Sequence, residues 1–341
     1  MTFNLMVSTP AIIHHPPRSG PRPLHVGRDM RGVLELLDMV FGSSLDAEGR
    51  RYLADGSTLG GAAPSLLGSL SRPAGSLPPG FVWEESGRIV GNVSLLRTGA
   101  GGRYVVANVA VHPGFRRRGM ARRLMQETIQ AVRAHRGQVI ALQVEEANEG
   151  AIRLYRSLGF VAVGSMTTWE HSGSRLRGEP VAAPPEWPFI RELRAHEWRA
   201  AYFLDRASLH PDLRWPEPLT EGFYRRTLWR RLDDFLNGRQ TETWVTADER
   251  TAGAPLVGLA TIDSEWSRPH QIHIRVSPAW RGFLESHLLA KALRRLRYLS
   301  ERAIRLDHPA DDAGMNRLLT EARFTARKTL AVMRLDLVRS A

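Results

Sequence analysis

The chain has 341 residues, 43% of them hydrophobic, and a formal net charge of +12. That length exceeds one ordinary core and points to two domains of roughly 150 residues each. No run approaches the roughly 18 apolar residues of a spanning helix, and the absence of cysteine excludes disulfides, thiolate metal ligands and thiol nucleophiles. A cytoplasmic location fits this composition.

The positive charge is compatible with nucleic acid, an anionic membrane or an anionic cofactor. Its distribution favours none of the macromolecules. Lys291 and Lys328 are the only lysines, and the arginines are scattered through both halves with acidic residues between them. No aromatic residues interleave with a basic helix, so a solvated basic surface is the simpler reading than a nucleic-acid face.

In chain order, residues 1–21 read as a Pro-rich leader without a secretory signal's basic start or apolar core. In LHVGRDMRGVLELLDMVFG, Asp29 is placed to cap a helix whose Val33, Leu36, Leu37 and Val40 share one face. A poorly patterned stretch from about Leu45 to Pro79 follows. FVWEESGRIVGNVSLL predicts a hairpin turning at Ser86-Gly87, and RYVVANVAV a third strand. A helix is expected from Gly119 to about His135. VIALQVE is a buried strand, Asn148–Leu158 a short helix ended by Gly159, and Phe160–Val163 and Met166–Glu170 closing strands. SGSRLRGEPVAAPPE, residues 172–186, reads as a linker.

The second half then repeats the order. WPFIREL is a strand before two helical stretches. ETWVTADE pairs with APLVGLATID, HQIHIRV follows, then a helix over 284–300, the strand AIRLDHP, and AGMNRLLTEARF as short helix and exit. RIVGNVSL matches PLVGLATI, and HPGFRRRGMARRLM matches SPAWRGFLESHLLA, about 165 residues apart. The expected limits are 22–171 for a first domain and 187–341 for its copy.

The turn between the third strand and its helix carries the chemistry. A helix N-terminus leaves amides unpaired and partially positive, and a glycine with a small residue there admits a bulky anion. Arg116, Arg117, Arg118, Gly119, Met120, Ala121 and Arg122 supply such a start with added positive charge. The Lys-Ser/Thr of a P-loop and the GxGxxG of a dinucleotide fold are both absent, which suits a diphosphate whose metal is not bound here.

VHPGFRRRGMA resembles motif A of the GNAT superfamily of N-acetyltransferases, with its Arg/Gln-x-x-Gly-x-Gly/Ala core. ALQVEEANEGAIRLYRSLGF resembles motif B, and together the two cover roughly residues 22–170. The resemblance implies an α/β fold: two GNAT-like domains, each a mixed, mostly antiparallel sheet flanked by helices. It implies acetyl-CoA as cofactor. Backbone groups of Val109, Ala110 and Val111 would pair with its pantetheine arm, and amides from Arg117 to Arg122 would hold the pyrophosphate. Asn148 would contact the arm or order the turn. Tyr155 would protonate the departing thiolate, which a phenol neutral at physiological pH can do.

The implied reaction is direct transfer of acetyl to a primary amine of a small-molecule acceptor. Relatives that act on peptide N-termini often carry Glu where Gln143 stands, which directs the search for a base to Glu84, Glu85, Glu145 and Glu146, with Glu145 preferred. No acidic or histidine spacing supports a metal site. The copy retains Arg281 at the place of Arg116 but has Leu284, Ser286, Leu319 and Arg323 at those of Gly119, Ala121, Tyr155 and Gly159. It reads as a degenerate GNAT-like domain, with Leu284 obstructing the anion. Two other readings remain: an acyl-CoA-binding regulatory protein that does not turn over, and a peptide or protein amine acetyltransferase.

Overall fold

The computed structural model describes residues 19–42, 77–173, 189–216, 218–225, 227, 234 and 238–337. Most of the 45–79 stretch and of the 172–186 linker, and the second helical stretch of the second half, lie outside them. The chain forms two compact units. One comprises residues 1–97 and 104–140, the other 98–103 and 141–341.

The first unit holds β1 (Ser19–Pro23), α1 (Val26–Phe41), β2 (Gly80–Glu85), β3 (Arg88–Arg97), β4 (Arg103–Val111) and α2 (Met120–Ala134). β1 thus starts inside the stretch read as leader, because Ser19–Pro23 pair antiparallel with Phe81–Glu85. β2 and β3 form the hairpin, and Ser86 (φ 49°) and Gly87 (φ 80°) both take the left-handed conformation that a two-residue turn needs. β4 pairs antiparallel with β3.

Side chains alternate across this sheet, so each face receives its own helix. Val33, Leu36 and Leu37 of α1 pack on Val82 and Ala110. α2 lies against the other face, where a Cβ on Gly91 would come within 3.0 Å of both Leu124 and the Trp83 Cβ. Gly91 is therefore a close-approach glycine. Asp29 does not cap α1 as expected. The helix begins three residues earlier, and Asp29 is buried, accepting from the His25 N–H at 2.9 Å and from Arg22 at 2.6 and 2.8 Å.

The second unit holds most of β5 (Val139–Glu145), then α3 (Glu149–Ser157), β6 (Val161–His171), β7 (Arg191–Glu192), α4 (Trp198–Ser208), β8 (Arg239–Ala247), β9 (Leu256–Glu265), β10 (His270–Val276), α5 (Leu284–Leu296), β11 (Ile304–Pro309), α6 (Ala313–Glu321) and β12 (Thr325–Asp336). Its strand order is β5-β12-β6-β11-β10-β9-β8-β7. β10 and β11 are parallel, and the other registered pairs are antiparallel. The sheet is mixed and mostly antiparallel, as the fold class requires.

Two features depart from expectation. β6 is one strand rather than two, its irregularity taken up by a register shift between Gly164 and Ala162 opposite Val332 and Met333. β12, which the sequence reading passed over as an exit, pairs along the length of β6. β6 comes from the first half of the sequence yet lies between β12 and β11 of the second half. The unit boundary at 140/141 therefore falls well before the 171/187 limits read from composition.

The duplication is visible as geometry. Gly258 repeats Gly91: a Cβ there would lie 3.1 Å from Leu288 and 3.2 Å from Leu284 of α5. Leu284, Leu288, Leu289, Ala292 and Leu293 enter the core with Ile272, Ile274, Ile304 and Leu306. Among the described residues no helix is long and apolar enough to cross a membrane.

Asp29 also sets an acid limit on the first unit. Burial alone would raise its pKa, but hydrogen bonds from Arg22, the His25 amide and Arg28 outweigh this and hold it well below its ordinary value of 3.8. A carboxylate depressed in the folded state adds stability above its unfolded pKa and loses it as pH falls further. Asp29→Asn should lower stability by about 3 kcal/mol at neutral pH. Denaturant midpoints should show this deficit shrinking as pH drops below about 4.

Candidate active site

Strand β4 reaches the site with an irregularity. Asn108 is left-handed (φ 53°) and drops out of the ladder between the pairs Asn92–Ala110 and Ser94–Ala107. This β-bulge is held by Asn92, which is fully buried and whose Nδ2 donates to the Asn108 carbonyl at 2.9 Å. The bulge re-aims the backbone of Val109, Ala110 and Val111, the residues expected to meet the pantetheine arm. Asn92 was missed in the sequence. Its signal was an amide within the otherwise apolar run IVGNV.

After β4 a short 3₁₀ turn, Pro113–Phe115, leads to the basic segment. Arg116 Nε donates to the Val111 carbonyl at 3.2 Å, and Arg118 Nη2 to the Gly114 carbonyl at 3.3 Å. Arg118 also lies over the Phe115 ring, 5.1 Å from its centroid. These arginines brace the turn as well as charging it. Arg117 (φ 65°) and Gly119 (φ 77°) both turn left-handed, two residues apart. Gly119 is the N-cap of α2 and no side chain caps the helix, so the amides of Met120 and Ala121 are left without an intrahelical acceptor. The space above Gly119 is open, with nothing within 4 Å of a Cβ built there.

The repeat closes the same place. Pro278–Trp280 is again 3₁₀, Arg281 adopts nearly the same backbone as Arg116, and Gly282 (φ 82°) stands where Arg117 stands. Leu284 does not block the seat as expected. It starts α5 one residue early and is wholly buried in the core. The seat is closed by the next residue: Glu285 Oε2 accepts from the Gly282 amide at 2.8 Å, with the side chain buried. The second copy carries its own anion.

Motif B residues lie in the second unit. Asn148 caps α3, its side chain accepting from the Ala151 N–H at 3.1 Å. Asp312 caps α6 in the same way through Met315 at 3.0 Å. Tyr155 is buried, its ring 6.0 Å from Phe160, and burial pushes its pKa up to about 12. Leu319 fills its place in the copy, also buried. Arg323 takes the left-handed turn (φ 61°) that Gly159 takes with φ 93°.

The four carboxylates separate clearly. Glu84 is held by Arg22 at 2.6 Å and Arg28 at 3.1 Å. Glu85 accepts from Ser19 and Trp83, which lower its pKa. Glu146 accepts from Ser165 at 3.0 Å. Glu145 is exposed at the end of β5, and its carboxylate pairs with no described residue. Among the described residues no group of three or more His, Asp or Glu could hold a metal ion.

Residues 59–160 match the family model described as the Acetyltransferase (GNAT) family. Over those residues the chain is similar to GNAT acetyltransferases. Over 82 residues it is 38% identical to the N-alpha-acetyltransferase RimI of Mycobacterium tuberculosis, covering 24% of this chain and 50% of that protein. Over 91 residues it is 35% identical to the L-methionine sulfoximine/L-methionine sulfone acetyltransferase of Salmonella typhimurium, covering 26% and 53%. The chain thus spans about half the length of these curated relatives. Its whole fold is similar to a GCN5-related N-acetyltransferase from Sphaerobacter thermophilus, with TM-score 0.62, 18% identity, and 96% and 98% of the two chains covered. A tandem GNAT protein from the clavulanic acid biosynthesis pathway gives TM-score 0.52 at 19% identity, covering 95% and 100%. The GNAT sequence match falls on the first half, whereas the fold match spans both halves.

Two outcomes follow. Burial raises the Glu285 pKa, with the amides of Glu285 and Gly282 opposing in part. A carboxyl raised in the folded state stabilises when protonated and loses that contribution as pH rises through its folded pKa. Glu285→Gln should therefore gain stability relative to the parent as pH is raised above about 4.5, read from thermal midpoints across pH. Gly119→Ala should cost about 1 kcal/mol of stability for the left-handed backbone alone. Gly119→Leu should cost the same and in addition weaken CoA binding by calorimetry, since its side chain enters the open space.

Proposed function

We propose that the chain is an acetyl-CoA-dependent N-acetyltransferase whose first half moves the acetyl group directly to a primary amine of a small molecule. The observation that carries this reading is the uncapped start of α2, open above Gly119, beside a repeat in which Glu285 fills the equivalent seat. Where one copy supplies its own carboxylate, the other has room and charge for an external diphosphate. The residues present fit acetyl-CoA in this respect.

When bound, acetyl-CoA supplies a thioester activated toward a neutral amine. The chain's residues do the rest. Amides of Met120 and Ala121 hold the diphosphate, with Arg117 adding charge. Backbone groups of Val109–Val111, set by the Asn108 bulge, align the pantetheine arm and polarise the carbonyl. Glu145, directly or through water, takes the proton that the ammonium must lose. As the carbon–nitrogen bond forms and the carbon–sulfur bond breaks, Tyr155 gives its proton to the departing sulfur, and the acetylated nitrogen sheds its second proton to water, from which Tyr155 is reprotonated. Its raised pKa keeps that proton in place throughout the physiological range.

Gln143 in place of a carboxylate and the likeness to the methionine sulfoximine/sulfone enzyme support a small-molecule acceptor. The likeness to RimI, named as an N-alpha-acetyltransferase, keeps a peptide α-amine in the test. A panel of small amines and N-terminal peptides, assayed by thiol release, separates the two acceptors. Tyr155→Phe should lower turnover by about 10²-fold or more with CoA affinity unchanged. Tight acetyl-CoA binding without turnover on any amine would overturn the enzyme reading in favour of a regulatory acyl-CoA binder.

A further inference from the structure

The second unit contains a cavity of about 220 Å³ that no part of the proposed reaction uses. It lies between α4 and the chain that follows, with Leu209, Pro211, Pro218 and Leu219 among its apolar walls. Its polar wall is made by Tyr202, Arg206 and Arg214, with Asp205 behind them.

The wall is fixed from both ends. Asp205 is buried and accepts from Arg275 Nε at 2.8 Å, from the Tyr224 hydroxyl at 2.6 Å and from Arg214. Seven residues on, buried Asp212 is clamped by Arg103 and by Arg334 Nη1 at 2.7 Å. The segment between the two carboxylates is pinned without help from a ligand. Arg214 is also oriented by the Phe223 ring, whose centroid lies 4.4 Å away.

Asp205 has both oxygens occupied, so it offers nothing to a ligand. What faces the cavity is therefore a set of donors. Arg214 gives one N–H group to Asp205 and keeps others. Arg206 is exposed, donates to the Tyr202 hydroxyl at 3.3 Å, and pairs with no carboxylate among the described residues. Two guanidinium forks beside apolar walls match a planar anion attached to a hydrocarbon group. Because a cavity of roughly 150 Å³ accepts benzene, this one suits a ligand of roughly ten non-hydrogen atoms.

We infer that this cavity is a binding site for a small carboxylic acid with a compact apolar body. Arg206 supplies the exchangeable ion pair, Arg214 a fixed donor, and the Leu and Pro walls the burial. This site does not depend on the acetyl-transfer reading.

The test is calorimetric titration of the full-length protein at low salt with benzoate and with isobutyrate. At least one should bind saturably, one molecule per chain. Benzamide and isobutyramide, which keep the shape but lose the charge, should not bind, and inorganic phosphate should bind more weakly than the acid. Arg206→Met should weaken the acid at least about tenfold, and Arg206→Lys should weaken it less, since charge without the fork remains. Thermal melts should be unchanged in both variants, because the side chain is exposed. The inference is overturned if neither acid binds, if an amide or phosphate binds as well as the acid, or if Arg206→Met binds like the parent. The comparison of acids with amides on the unaltered protein decides the matter even if a variant is unstable.

Discussion

A helix start presents several amides with no partner in the helix, and something negative must come to them. This protein meets that constraint twice, at equivalent places, in opposite ways. In the second half Glu285 folds back on Gly282 and closes the site from within. In the first half the left-handed pair Arg117 and Gly119 opens the backbone, and no side chain intrudes. The structural asymmetry of the two helix starts lies in which of them carries its own anion.

The geometry that presents these helix starts is common to both halves and rests on packing. Gly91 and Gly258 each sit beneath a helix that approaches too closely for any larger residue to fit without rearrangement. The shared Val-Gly pair of RIVGNVSL and PLVGLATI is the trace of that contact. Above it the halves have diverged. Buried Asn92 holds a bulge in β4. The equivalent stretch of β9 and β10 pairs without interruption. The copy has kept what packs the helix and lost what distorts the strand.

Both units hold buried carboxylates between arginines, Asp29 in the first and Asp205 and Asp212 in the second. Asp205 and Asp212 each collect two arginines, so four of the chain's basic side chains are spent on two buried carboxylates. A buried carboxylate between two guanidinium groups fixes geometry more than it advertises charge. It leaves Arg206 as a cation that lines a cavity without a described acidic partner.

Local pattern was enough for much of this molecule. The hairpin at Ser86-Gly87, the span of β4, the start of α2 at Gly119 and the cap at Asn148 were all legible, because each rests on neighbours within a few residues. So were the duplication and the loss of the glycine at Leu284. What the sequence could not decide were choices among partners far apart in the chain. Alternation within TARKTLAVMRLD does not say that it will lie beside a strand more than 150 residues earlier. Nor does the identity of Leu284 say that its side chain points into the core while Glu285 turns to the amide. Those outcomes depend on which surfaces meet when the chain closes, and only the tertiary structure fixed them.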